Sequence, residues 1–164
     1  MTSKAYVISE TATTFAPSGG DHVFTLTSLA SGAGRQSAQW DRTAGARPFM
    51  FEWRAWTKFA TAPVVAQTVD FYIKTSDGTH VDNDDGTGDL AVSAEDKLKN
   101  LKYIGSIVVD EASATPEFAA SGIIAIYSRY VQVVAWNASD DALSGTAGDH
   151  GFSLTPIPIQ GQDT

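Results

Sequence analysis

The residues best equipped for chemistry lie in one stretch. Asp77, Asp82, Asp84, Asp85 and Asp89, with His80 and Asn83, fall within thirteen residues, 77–89. Calcium takes about six to eight hard oxygen ligands, which a Gly-rich acidic loop supplies from carboxylates and carbonyls. The stretch is therefore a candidate calcium loop, and calcium is the one cofactor the sequence suggests. Its spacing departs from the helix–loop–helix site: with Gly86 on the invariant glycine, Val81 and Val92 take the first and last ligand positions. It also lacks the paired glycines of repeat-type calcium loops. The competing reading is a solvated turn between a strand and a short helix.

Other chemistry finds less support. His22, His80 and His150 are far apart and form no His-x-x-x-His pair, which argues against zinc. Asp149 and His150 are adjacent, and adjacent strand residues point to opposite faces. The sequence has no Gly-x-Ser-x-Gly elbow, and Gly86-Thr-Gly88 lacks the rest of a phosphate loop. Asp84/Asp85 and Asp140/Asp141 fall in predicted exposed loops, where weak desolvation would not separate their pKa values. With no cysteine there is no disulfide, thiolate metal site or cysteine nucleophile. The sequence predicts a protein that is not an enzyme. A hydrolase would need clustered His and Asp.

Surface aromatics suggest binding instead. Trp56 shares a strand face with Glu52, Arg54 and Lys58, out of phase with Phe49, Phe51 and Trp53. An outward Trp beside Arg anchors an interface or stacks a sugar. Tyr130, Gln132, Val134 and Trp136 share one face of a later strand, where Trp136 is expected to be covered.

The elements that must carry these residues are strands. In residues 48–59, Phe49, Phe51, Trp53, Ala55 and Phe59 alternate with Glu52, Arg54 and Lys58. A strand gathers such residues on one side and a helix scatters them. Val69, Phe71 and Ile73 alternate likewise with Asp70, Tyr72 and Lys74. Further strands are predicted at 5–9, 22–29, 36–40, 103–110, 117–127 (broken near 121–122), 130–136 and 151–155. Residues 93–101 predict one short helix, capped by Ser93 with Asp96 completing a capping box, and docked through Leu98 and Leu101. The expected fold is all-β: an antiparallel β-sandwich of jelly-roll type with eight or nine strands, a closed up-and-down barrel being the alternative. Residues 1–155 form one domain. Residues 156–164, with Pro156 and Pro158, cannot pair normally in a ladder and are expected to form an extended C-terminal arm.

Composition narrows the partners. The 164 residues carry 11 Lys+Arg against 19 Asp+Glu, a formal charge of −8. Such a surface repels nucleic acid and anionic membranes, so neither is an expected partner. Fourteen of the acids are Asp, a turn-rich bias. Residues 1–10 do not read as a signal peptide, and no apolar run is long enough for a transmembrane helix. These features predict a soluble chain made in a cytoplasm.

Residues 62–80 (APVVAQTVDFYIKTSDGTH), 103–110 (YIGSIVVD) and 129–137 (RYVQVVAWN) resemble small structural proteins of tailed bacteriophages, particularly of marine hosts. The resemblance spans roughly residues 48–158. It implies a jelly-roll-like virion component made in the host bacterial cytoplasm, and it carries over no catalytic residue. The expected role is a head decoration or cement protein that binds the major capsid protein, or other virion proteins, as a homo-oligomer such as a trimer or hexamer. The alternatives are a tail or fibre-base component, or a carbohydrate-binding host-attachment module. Arg54, Trp56, Ile157 and Ile159 are the candidate interface residues, with the two isoleucines giving the arm something apolar to bury.

Overall fold

The computed structural model describes residues 4–7, 10–42 and 48–162, the side chains of 4–7 and 159–162 excepted. Residues 8, 9, 163 and 164, the ends of the predicted first strand and of the arm, lie outside the described residues.

The described chain is a β-sandwich. One sheet holds β2 (Thr13–Ala16), β3 (His22–Val23), β6 (Met50–Thr57), β10 (Phe118–Ala125) and β12 (Gly151–Pro156), in the order β10-β6-β12-β2-β3. The other holds β4 (Ala33–Gln36), β7 (Thr68–Ser76), β8 (Leu90–Val92), β9 (Lys102–Val108) and β11 (Tyr130–Asn137), in the order β8-β4-β11-β7-β9, with β5 (Trp40–Asp41) also on β11. The principal strands are β2, β4, β6, β7, β9, β10, β11 and β12. In chain order, the first sheet runs sixth-third-eighth-first and the second runs second-seventh-fourth-fifth, with every neighbouring pair antiparallel. That order is the double Greek key of a jelly roll. A third ladder pairs β1 (Lys4–Val7) with β13 (Ile159–Gln162), separate from both sheets.

The period-two pattern becomes the core. Phe51, Trp53 and Ala55 of β6, Val69, Phe71 and Ile73 of β7, and Val131, Val133 and Ala135 of β11 all face inward and are buried. Phe152 is the hub: its ring lies 6.0 Å from Trp53 at 3° and 5.7 Å from Phe71, with Phe15 at 6.1 Å. Trp53 fills the seam where β9 and β10, the end strands of the two sheets, meet. Both strands present a glycine to it. A Cβ on Gly105 would lie 2.7 Å from the indole and one on Gly122 2.8 Å away, and Gly105 also has φ +154°. Gly122 explains the predicted break in this strand, which instead runs unbroken through it.

Several local expectations are corrected. The predicted strand 22–29 keeps ladder pairing only at His22–Val23; Phe24 and Leu26 continue into the core as irregular chain. The predicted strand 36–40 is two short pieces, β4 and β5. Thr13–Ala16 and Leu90–Val92 are strands that the pattern did not suggest. Within 93–101 the chain forms only a 3-10 turn, Glu95–Leu98, whose N-cap is Ala94 with no side-chain cap. Ser93 instead donates to Asp85 Oδ1 at 2.9 Å. The arm also pairs: Pro156 ends β12 opposite Phe51, and Ile159–Gln162 form a ladder with Lys4–Val7. Neither proline interrupts a central hydrogen-bonded position, because Pro156 is terminal and Pro158 lies between ladders.

His150 is buried behind this core, between Thr57 Oγ1 (2.8 Å from Nδ1) and the carbonyl of Ser144 (2.8 Å from Nε2). Nε2–H donates to the carbonyl, so Nδ1 accepts from the Thr57 hydroxyl, a neutral tautomer. Burial lowers the pKa of His150, and half-buried His22 shifts the same way for the same reason. A histidine held below its ordinary value lets the unfolded chain take up the proton first. Folding stability is therefore full above about pH 6.5 and falls as pH drops through that value toward the folded-state pKa. The thermal midpoint is expected to decline between pH 7.5 and 5, with a shallower decline in His150→Asn; parallel profiles for the two proteins would refute the assignment to His150.

Candidate functional site

The stretch 77–101 is a long insertion between β7 and β9 that folds over the outer face of the second sheet. Val92, Leu98 and Leu101 pack on Val134 there, with Tyr72 and Trp136 at the edge, forming a second small core. The Trp136 ring lies against Gly34, where a Cβ would come within 2.6 Å of it. Both faces of β11 are consequently covered, as expected for Trp136.

The five acids of residues 77–89 are engaged by the chain's own donors. Asp77 Oδ1 closes a turn by accepting from the backbone N–H groups of Thr79 and His80, 2.7 Å each, bonds that hold its carboxyl well below the usual carboxylate range. Asp82 accepts from the Thr75 N–H (2.6 Å) and hydroxyl (2.9 Å). Asp84 pairs with Lys97. Asp89 accepts from Arg35 Nη2 at 2.7 Å and from the Thr25 hydroxyl at 2.6 Å. Asp85 accepts from Ser93 through Oδ1, while its Oδ2 is buried with no hydrogen-bond partner. Among the described residues, no three His, Asp or Glu side chains form a metal-holding group.

Lys74 lies underneath. It points outward from β7, as the alternation requires, yet is 1% exposed because the insertion covers it. Its ammonium donates to Gly86 O at 2.6 Å and Gln36 Oε1 at 3.0 Å. Burial lowers its pKa, and Asp85, Asp82 and Asp84 oppose that shift. Gln36 Nε2 donates to the carbonyls of Asp85, Gly86 and Gly88, 3.1 Å each. Backbone carbonyls of this stretch, those of Asp85, Gly86 and Gly88, thus converge on a lysine ammonium and an amide, while its carboxylates are taken up by other donors. The period-two register placed Lys74 on the outer face; its burial carries no sequence signal.

Three of the four candidate interface residues are brought to the outer face of the first sheet. Pairing sets Ile123, Glu52 and Thr155 in one row, Ser121, Arg54 and Ser153 in the next, and Ala119, Trp56 and Gly151 in the third. Arg54 is exposed. Trp56 is half-buried because its ring lies flat on Gly151, where a Cβ would come within 2.1 Å. Ile157 joins Glu52, Ser121, Gly122 and Ile123 around an open groove of roughly 400 Å³. Ile123 is 66% exposed. Ile159 begins β13, opposite Val7, and its side chain lies outside the described residues.

Two aromatic features escaped sequence reasoning. Phe49 and Tyr127 stack at 5.7 Å and 12° with both rings exposed, beside a buried Arg42 that donates to the carbonyls of Ile126 (3.0 Å), Ser128 (2.8 Å) and Pro48. Tyr72 and Tyr103 meet across β7 and β9 at the mouth of a cleft under the 3-10 turn. Alternation placed Phe49 with the core residues of its strand, yet Phe49 extends past the end of the core and is exposed; it placed Tyr72 outward, where the insertion partly covers it. In comparisons with known proteins, no family model matches this chain and no curated protein matches it.

Proposed function

We propose that this protein is a non-enzymatic structural component of a tailed-phage virion, a head decoration protein that works by adhesion. One observation carries the reading most: β1 and β13 form a two-stranded ribbon that joins neither sheet. Isolated two-stranded ribbons are marginal in water and gain stability by packing on another surface. In the proposed assembly that surface belongs to a neighbouring copy, and many weak contacts on a repetitive shell add up to firm attachment. The likeness of residues 62–80, 103–110 and 129–137 to phage structural proteins supports the same reading, as does an acidic jelly roll carrying Arg54, Trp56 and Ile157 along one open face. The shell's major capsid protein is the proposed partner and the virion the proposed location.

Size exclusion with light scattering tests the self-association. A discrete multiple of 17.4 kDa is expected for the full chain, with loss of that multiple on deleting residues 158–164. A mass of 17.4 kDa for the full chain at tens of micromolar would overturn the oligomer. An unchanged multiple after deletion would remove the ribbon from the interface.

A further inference from the structure

The cleft at Tyr72 and Tyr103 plays no part in that reading and stands on separate observations. Its walls are two rings whose centroids lie 5.4 Å apart at 64°. Leu98 and Leu101 line its floor, and Glu95, Asp96 and Lys99 its rim, around an open space of roughly 460 Å³. Spaces of this size accept small ligands or single side chains.

Tyr103 is 55% exposed yet tethered. Its hydroxyl donates to Ser106 Oγ at 2.6 Å, and Ser106 donates in turn to Asp70. Asp70 and Ser106 are direct cross-strand partners, so the relay is built into the β7–β9 register. An exposed ring held this way presents a fixed face to solvent, which lowers the entropic cost of binding.

Electrostatics select the ligand. Lys99 pairs with Asp96 at 2.6 Å, whereas among the described residues no hydrogen bond or ion pair engages the Glu95 carboxylate. The pKa of the Tyr72 hydroxyl is raised, by burial first and then by the neighbouring Asp70, Tyr103 and Glu95. Two ring faces set steeply to each other beside an unpaired carboxylate attract a cation through their quadrupoles. A sugar is served better by a flat platform rimmed with neutral amides and hydroxyls. We propose that this cleft binds a small organic cation, an alkylammonium or guanidinium group, seated against the Tyr72 and Tyr103 rings with Glu95 as its counter-ion.

The test is an amide NMR titration of the full ¹⁵N-labelled chain at constant ionic strength. The probes are tetramethylammonium, N-acetyl-arginine-N′-methylamide and methyl β-glucoside. Saturable shifts around Leu98, Lys99 and Tyr103 are expected with both cations, at dissociation constants on the order of millimolar, and none with the glucoside. Tyr103→Leu is expected to weaken cation binding about fivefold and Glu95→Gln about threefold, within the range of exposed cation–π and ion-pair contacts. Both positions are exposed, and the rest of the spectrum reports that each variant is folded. Tighter binding of the arginine amide would identify a basic side chain of a partner as the source, and tighter binding of tetramethylammonium a free quaternary amine. Unsaturable shifts, unchanged affinity in both variants, or glucoside binding in the cleft would overturn the proposal. None of these outcomes bears on the oligomer, so the two readings fail independently.

Discussion

Trp53→Ala is expected to cost about 4 kcal/mol of folding stability, as large-to-small substitutions of buried aromatics do. Trp53 is 3% exposed, stacks on Phe152 and closes the seam where the two sheets meet at β9 and β10. Its loss opens a cavity at the seam between β9 and β10, which both pack on the indole through Gly105 and Gly122. For a domain of this size each kcal/mol lowers the thermal midpoint by roughly 2–4 °C, giving a fall of about 10 °C or more. Urea unfolding followed by circular dichroism measures it. The reciprocal substitution, Gly122→Val, pushes a side chain into the same indole and is expected to cost about 2 kcal/mol by overpacking. A Trp53→Ala loss under about 1 kcal/mol would show that the seam is held by something other than this ring.

The second large effect is expected at Lys74. Lys74→Met keeps the length of the side chain and removes the ammonium. Gly86 O and Gln36 Oε1 lose their donor, and Asp85, whose Oδ2 has no hydrogen bond, loses the nearby positive charge that acts on it. Removing one partner from a buried charged network leaves the others uncompensated, which costs about 3 kcal/mol. The loss has a local signature as well. Amides of residues 82–90 are expected to exchange faster while those of β6 and β11 keep their relative protection. Adding Asp85→Asn to Lys74→Met is expected to recover part of the loss, because it withdraws the uncompensated charge. If Lys74→Met were neutral in stability and exchange, the insertion would be held by its apolar contacts at Val92, Leu98 and Leu101 instead.

These two residues show how differently parts of the molecule are written in its sequence. Trp53 is legible: it falls in phase with Phe51 and Ala55, and a half-buried strand sends that phase into the core. Lys74 is legible only as an outward residue, because register alone decides that much. The acids at 77–89 could be recognised as a cluster of hard oxygens, but not that a backbone carbonyl among them, Gly86 O, would hold a lysine ammonium thirty-eight positions from its other partner, Gln36. Ser93 and Asp96 matched a capping box, yet Ser93 is drawn to Asp85 and the turn tightens to a 3-10 form, since packing Leu98 and Leu101 on Val134 outweighs local capping. The tail illustrates the converse. Its prolines argue against a ladder, but each occupies a place where no ladder donor is needed, and Ile159–Gln162 still pair with Lys4–Val7.

By itself the sequence determined the β class, the inward and outward faces of the long strands, the acidic charge and the turn-rich character of the chain. All of these follow from local chemistry: side chains alternate with period two, and Gly, Asp and Asn bend the chain. Only the tertiary structure decided which strands are neighbours. β2 and β12, near opposite ends of the chain, lie side by side, and β11 sits between β4 and β7. Strands with the same alternation can pair in many orders, and the choice rests on how the buried rings of Phe15, Trp53, Phe71 and Phe152 fit together across the two sheets. The tyrosine cleft and the buried lysine arise from that same choice, because both are built by an insertion folding over a sheet face assembled from distant strands.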